Sequence, residues 1–252
     1  MHVAVTGASS GIGEALAREF ARTGADVTLV ARRRDRLEQI ASELAGRTFI
    51  AARDLSDVAH AADWIAEAEA ALGPIDILIS NAGSMTLGPV ASFDPAEAER
   101  MIALNLATPL RLIRAVLPGM VARRSGTIVN VTSMAALVTL PGWAYQAASK
   151  AGSATFSEAL GVELAGSGVH VLTFYPGPTD TPMTQGSLDA YGRTGLAGRL
   201  PLGDTATLAR RVRRAVEKRR ARLIYPRFYA VVRWFPRLAA WLAARFAPRL
   251  PT

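Results

Sequence analysis

Cysteine is absent from this chain of 252 residues, which excludes disulfides and thiolate chemistry and gives no sign of an oxidising compartment. Histidine is nearly absent: His2, His60 and His170 stand far apart and offer no metal-ligand cluster. No uninterrupted apolar run reaches the ~18 residues that a bilayer span needs. Internal repeats and low-complexity linkers are lacking too. The first apolar run, HVAVTG, begins at residue 2 and reads as a strand. It leaves no room for a charged-then-apolar leader, so a cytoplasmic location is expected. Acidic side chains are scarce at one end only. Residues 199 to 252 hold 14 of the 29 basic residues against Asp204 and Glu217, leaving 15 basic and 19 acidic residues in the remainder. A uniformly basic nucleic-acid binder would not divide its charge this way, and nucleic acid is not expected as a partner.

What is present is an alternation. The runs HVAVT, DVTLV, TFIAA, IDILIS, GTIVNVT, VHVLTFY and RLIYP are rich in β-branched residues, and most are separated by alanine-rich stretches of helical period. The pattern predicts an α/β fold, a doubly wound parallel sheet with helices on both faces in a single domain. That domain is expected over residues 1–225, with a basic, aromatic, amphipathic C-terminal helical segment over 226–252. From Met183 to Gly203 five glycines interrupt any period, and a long irregular loop, either a lid or disordered, is expected there.

Directly after the first run comes TGASSGIGEALAREF, with Gly7, Gly11 and Gly13 at a turn that opens a helix. Glycines at such a turn let the backbone approach a pyrophosphate, whose charge sits at the positive end of the helix. In dinucleotide folds an acid about 20 residues later binds the free ribose hydroxyls of NAD. Here the second run ends VARRRDR: Ala31 stands in the acid's place, and Arg32 and Arg33 offer planar forks suited to a phosphate. A solvated basic helix start is the plainer alternative. The reading favours NADP.

The spacing TGxxxGxG, SNAG at 80 to 83, the segment from Ser133 to Lys150 and YPGPTDT at 175 to 181 together resemble the short-chain dehydrogenase/reductase family over residues 1 to about 185. The resemblance implies a Rossmann-type sheet and hydride transfer between a nicotinamide dinucleotide and a carbonyl or alcohol. It places Gly7, Ser9, Ser10, Gly11, Ile12 and Gly13 at the pyrophosphate and Asp54 and Leu55 by the adenine. Asn81, Ala82 and Gly83 would shape the cleft, Pro176, Gly177 and Thr181 would close on the nicotinamide, and Lys150 would hold the ribose.

For catalysis the resemblance implies a tyrosine as proton donor, a lysine that lowers its pKa, a serine that fixes the substrate oxygen and an asparagine in a water relay. Ser133 and Asn105 fit the last two. Pro109, four residues past Asn105, has no amide to bond that residue's carbonyl; it would free the carbonyl for water or simply kink the helix. The tyrosine is less simple. Tyr145 and Lys150 are five apart, and five residues separate two helical side chains by about 140°, whereas four bring them within about 40°. The interval of 17 from Ser133 to Lys150 is the family's usual one, and it puts Gln146 where the tyrosine belongs. Glutamine bonds a carbonyl but supplies no proton at neutral pH, a loss of roughly 10²- to 10⁴-fold. Tyr145 could serve instead if the helix began irregularly or carried a π-bulge.

The function expected is an NADP-dependent oxidoreductase acting on an apolar carbonyl or alcohol, with Met183, Leu188, Tyr191, Leu196, Leu200 and Trp143 as pocket-lining candidates. A weakened or non-catalytic NADP-binding sensor or scaffold is the alternative. No metal site is expected, and a homo-oligomer is. In the tail, Arg233, Arg237, Arg245 and Arg249 recur at multiples of four, with Trp234, Leu238, Trp241, Leu242 and Phe246 largely elsewhere around the helix. Such a helix packs on its own domain or a second subunit, or lies at the inner face of a membrane.

Overall fold

Because each β-branched run is followed by a helical crossover, the chain has to pair its strands in parallel. The computed structural model, which describes residues 1–138, 140–191, 202–230 and 241, shows seven strands doing so. They are β1 (His2–Thr6), β2 (Asp26–Ala31), β3 (Thr48–Ala52), β4 (Ile77–Ser80), β5 (Gly126–Val131), β6 (Val169–Pro176) and β7 (Arg222–Tyr225). Their order is β3-β2-β1-β4-β5-β6-β7, with every pairing parallel. β1, β5 and β6 are buried along their whole length, as a sheet covered on both faces requires.

The helices are α1 (Gly11–Ala21), α2 (Arg34–Glu43), α3 (Trp64–Leu72), α4 (Pro95–Ile102), α5 (Thr108–Ala122), α6 (Ala144–Glu163), α7 (Pro182–Tyr191) and α8 (Thr205–Glu217). One core joins the sheet to α1, α2 and α8 through Leu16, Phe20, Leu37, Ile40, Leu208 and Val212. The other joins it to α3, α5 and α6 through Trp64, Ile65, Leu112, Val116 and Leu160. Each large side chain fully buried there contributes about 1.5–3 kcal/mol. The helical run Pro95–Ala122 is long and apolar enough to cross a bilayer. Here it packs as a core helix, with Leu112, Ile113, Val116 and Met120 buried.

Two expectations need correction. The stretch after Met183 is not irregular at its start: α7 continues to Tyr191, because Thr181 caps it, its Oγ1 accepting the Thr184 N–H at 3.2 Å. Leu196 and Leu200 lie outside the described residues, as do the side chains of Leu188 and Tyr191. The π-type turn considered for the start of α6 lies instead between α4 and α5, at Ala103–Ala107, where the Thr108 N–H reaches back to Ala103 O. Of the tail, residues 226–230 and Trp241 are described, and the helix expected over the rest of 226–252 falls outside the described residues.

Candidate active site

Ligand crevices in doubly wound sheets open at the carboxyl ends of the strands where the winding reverses. Here that point lies between β1 and β4. After β1 the chain turns through Gly7 (φ 67°) and Gly11 (φ 58°), a left-handed conformation that favours glycine. At Gly13 a Cβ would lie 2.2 Å from Gly7 O, so any side chain is excluded. Ser10 precedes α1 without a side-chain cap, which leaves the first amides of the helix for an anion. Ile12 turns its side chain toward the core, so its offer to a ligand is backbone. A Cβ on Gly11 would lie 3.1 Å from the Thr181 methyl, so the loop after β6 stands over the turn.

The far wall is SNAG. Thr6 Oγ1 accepts the N–H groups of Asn81 (2.9 Å) and Ala82 (3.0 Å), while Asn81 Nδ2 donates to Thr6 O at 2.9 Å. Thr6 thus ties the two walls together, a role that a threonine in a strand does not advertise. Pro176 ends β6, and the Gly177 N–H donates to Tyr225 O at 2.7 Å. Leu55 is buried, and its carbonyl accepts the Thr108 hydroxyl. The Asp54 carboxylate accepts the N–H and hydroxyl of Ser56. Those bonds, with the charge of Arg32 behind them, hold it below the usual carboxylate range. At the end of β2, Arg33 Nη2 donates to Ser9 O (3.1 Å) and Ser9 Oγ (3.0 Å), which brings a guanidinium to the glycine turn; Arg32 beside it is exposed.

Helix α6 starts at Ala144 and is regular from its first turn, where the Ala147 N–H donates to Trp143 O at 2.7 Å. Tyr145 and Gln146 therefore diverge. Gln146 is buried, and its Oε1 accepts from Asn105 Nδ2 at 2.9 Å. The Tyr145 ring lies 4.9 Å from that of Phe93. Among the described residues it has no hydrogen bond to Asn105, Ser133 or Lys150. Asn105, fully buried in the π-type turn, also donates to Ser84 O (2.9 Å) and Ser149 Oγ (3.3 Å), and its Oδ1 accepts the Ser84 N–H (2.9 Å). Pro109 had pointed to the carbonyl of Asn105; the structure adds an engaged side chain. Gly83 leaves space over the cluster: a Cβ there would stand 2.9 Å from Asn105 Oδ1 and 3.3 Å from Lys150 Nζ.

Lys150 is buried and donates to Val131 O at 3.2 Å; desolvation pulls its pKa down to about 8. Ser133 heads the turn Met134–Ala136, its Oγ accepting the Ala135 N–H at 3.0 Å, which leaves the hydroxyl proton to donate. Asn105, Gln146 and Lys150 thus meet at one place, joined by Ser84 and Ser149, which the sequence reading missed. Ser149 carries a signal in hindsight, lying three residues from Gln146 on one helix face; Ser84 and Phe93 carry none.

A glycine-turned crevice at the reversal point, with donors on both walls and a buried ammonium behind, defines the class of doubly wound dinucleotide-binding proteins. The short chain dehydrogenase profile matches residues 1–192, and the chain belongs to the short-chain dehydrogenase/reductase family of oxidoreductases. A short chain dehydrogenase of Pseudocercospora fijiensis is 37% identical over 71% of this chain and 60% of its own length. A short-chain dehydrogenase from Sphingobium yanoikuyae in complex with NADPH superimposes with a TM-score of 0.78 at 31% identity, covering 97% of this chain and 94% of that one. The closed form of a serine dehydrogenase complexed with NADP+ gives 0.77 at 30% identity, covering 86% and 89%. The glycine cradle, the open amides of α1 and the donor-rich walls fit a nicotinamide dinucleotide.

Proposed function

We propose that the protein is an NADP(H)-dependent oxidoreductase interconverting a carbonyl and an alcohol on an apolar substrate, with its rate limited by an amide at the phenol's place. The observation that carries the cofactor choice is the Arg33 guanidinium at Ser9, with Arg32 beside it and Ala31 where an acid would stand. Such charge suits a ribose phosphate, and both solved relatives described above hold NADP(H). When bound, the dinucleotide supplies or accepts hydride. The chain's part is to bind and orient. Lys150 has N–H groups left over for ribose oxygens, Ser133 has a proton for a substrate oxygen, and Asn105 fixes Gln146. Phe93, Tyr145 and half-buried Trp143 support an apolar approach to the site. Fluorescence titration tests the assignment: NADPH should bind at least about tenfold tighter than NADH, and Arg32→Ala/Arg33→Ala should erase the difference. Equal affinities in the parent protein would overturn it.

A second reading, a dinucleotide-bound sensor or scaffold, is favoured by the burial of the Gln146 amide and the seating of Tyr145 on Phe93. Steady NADPH consumption across a carbonyl panel separates the two. In either reading the basic end of the chain serves to hold the protein at an anionic membrane surface. The support is α8, whose exposed Arg210, Arg214 and Lys218 fall one turn apart along one side.

A further inference from the structure

The orientation of the Gln146 amide is dictated by the backbone of Ser84. The Ser84 N–H can only donate, so the Asn105 atom 2.9 Å from it is Oδ1; the Ser84 carbonyl can only accept, so the atom 2.9 Å from it is Nδ2. Nδ2 also faces Gln146 at 2.9 Å, and the atom it meets there must be Oε1, since a reversed amide would set two NH2 groups against each other. Ser149 cannot relieve this demand. Its hydroxyl is 3.3 Å from Nδ2 and spends its own proton on the Gln146 carbonyl at 3.0 Å. Nε2 is therefore the free end of Gln146. It has no partner among the described residues, and it is not one of their sealed, unpartnered polar atoms, so it borders open space.

We propose that Gln146 Nε2 is a fixed hydrogen-bond donor that makes this cleft select ligands with an unprotonated acceptor oxygen, a ketone or carboxylate, over the matching alcohol. The inference rests on the crevice being the dinucleotide and substrate site. Close by, Asn105 Oδ1 is spent on Ser84 and Lys150 Nζ donates to Val131 O; Ser133, which the proposed function puts at the substrate oxygen, has a proton to give and one lone pair left beside the Ala135 N–H. An alcohol oxygen can accept from Nε2, but its own proton then has only that lone pair of Ser133 to go to, whereas a ketone or carboxylate oxygen accepts from both donors, a mismatch that costs about tenfold or more in affinity. A phenol imposes no such choice, because a hydroxyl both donates and accepts.

The test is calorimetric binding of cyclohexanone, cyclohexanecarboxylate and cyclohexanol to the dinucleotide-saturated protein. Each is measured beside the redox state that cannot react with it: NADP+ for the first two, NADPH for the alcohol. Gln146→Glu keeps an oxygen for Asn105 and turns the free end into an acceptor. It should weaken ketone and carboxylate about tenfold or more while sparing or tightening the alcohol. Gln146→Met, close in volume and without a donor, should weaken ketone and carboxylate and leave the dinucleotide affinity alone. Ligand ratios that do not move in either variant, with dinucleotide still bound, overturn the inference while leaving the cofactor reading intact. So does a dinucleotide-bound parent protein that takes none of the three ligands. Loss of dinucleotide binding in the parent protein overturns both.

Discussion

At the scale of single residues, the proposed function turns on two neighbours on one helix, Tyr145 and Gln146. With α6 regular from Ala144, exchanging them (Tyr145→Gln with Gln146→Tyr) puts a phenol four residues before Lys150, beside Asn105. Carbonyl reduction should rise by about tenfold or more, whereas Tyr145→Phe in the parent should change it little. A robust parent activity abolished by Tyr145→Phe, with the exchanged protein inactive, would make Tyr145 the acid. Lys150 offers a second test. Its pKa is depressed to about 8 by burial, so the folded state carries an ammonium that the unfolded chain solvates better. The cost is present in full below about pH 8 and vanishes as pH climbs past the unfolded value of about 10.4. Lys150→Met should therefore raise the melting midpoint by about 3 °C or more at pH 7, gain nothing near pH 11, and weaken dinucleotide binding.

At the scale of elements, strand content was legible because buried parallel strands read as continuous apolar runs, and all seven stood out. The count from Ser133 to Lys150 and the helical angle set Gln146 rather than Tyr145 above Lys150 on a regular helix; the regular start is seen, while the bond of Gln146 to Asn105 and the seat of Tyr145 on Phe93 were not legible. The clamp of Asn105 on Gln146 was not legible, since it joins three segments distant in sequence through the backbone of Ser84. Nor was the start of α7, where glycine frequency outweighed one capping threonine. Caps elsewhere are stronger. Asp204 accepts the N–H groups of Ala206 and Thr207 ahead of α8, and α8 docks on α1 through Arg213 and the buried Glu19 at 2.7 Å. Asp204→Ala should cost about 1 kcal/mol, read as a fall of about 2–4 °C in the melting midpoint, with Asp204→Asn recovering most of it.

At the scale of the whole molecule, charge is divided between a mildly acidic body and a basic end. Arg210, Arg214 and Lys218 repel one another along α8, a pattern worth a few tenths of a kcal/mol per pair against the helix. Glu217, the acid on that helix, is tied to Arg213. A surface of this kind gains by meeting anions. Co-sedimentation with phosphatidylserine vesicles should therefore be strong at low salt and fall steeply at high salt, with neutral vesicles ignored. Indifference to anionic vesicles at low salt would remove the membrane proposal and leave the tail to pack on protein.

The sheet order also governs how the chain reaches this state. β1 sits between β2 and β4, and its second neighbour is not synthesised until residue 80. Among the described residues no strand pairing is a hairpin, so each ladder closes a loop of at least a whole crossover and offers refolding no short-range shortcut. The glycine turn and its arginines need only the β1–β2 ladder. The Asn105–Gln146–Lys150 cluster needs more of the chain, since it joins the segment after β4, the turn between α4 and α5, and α6, so the two halves of the cleft are built from separate stretches.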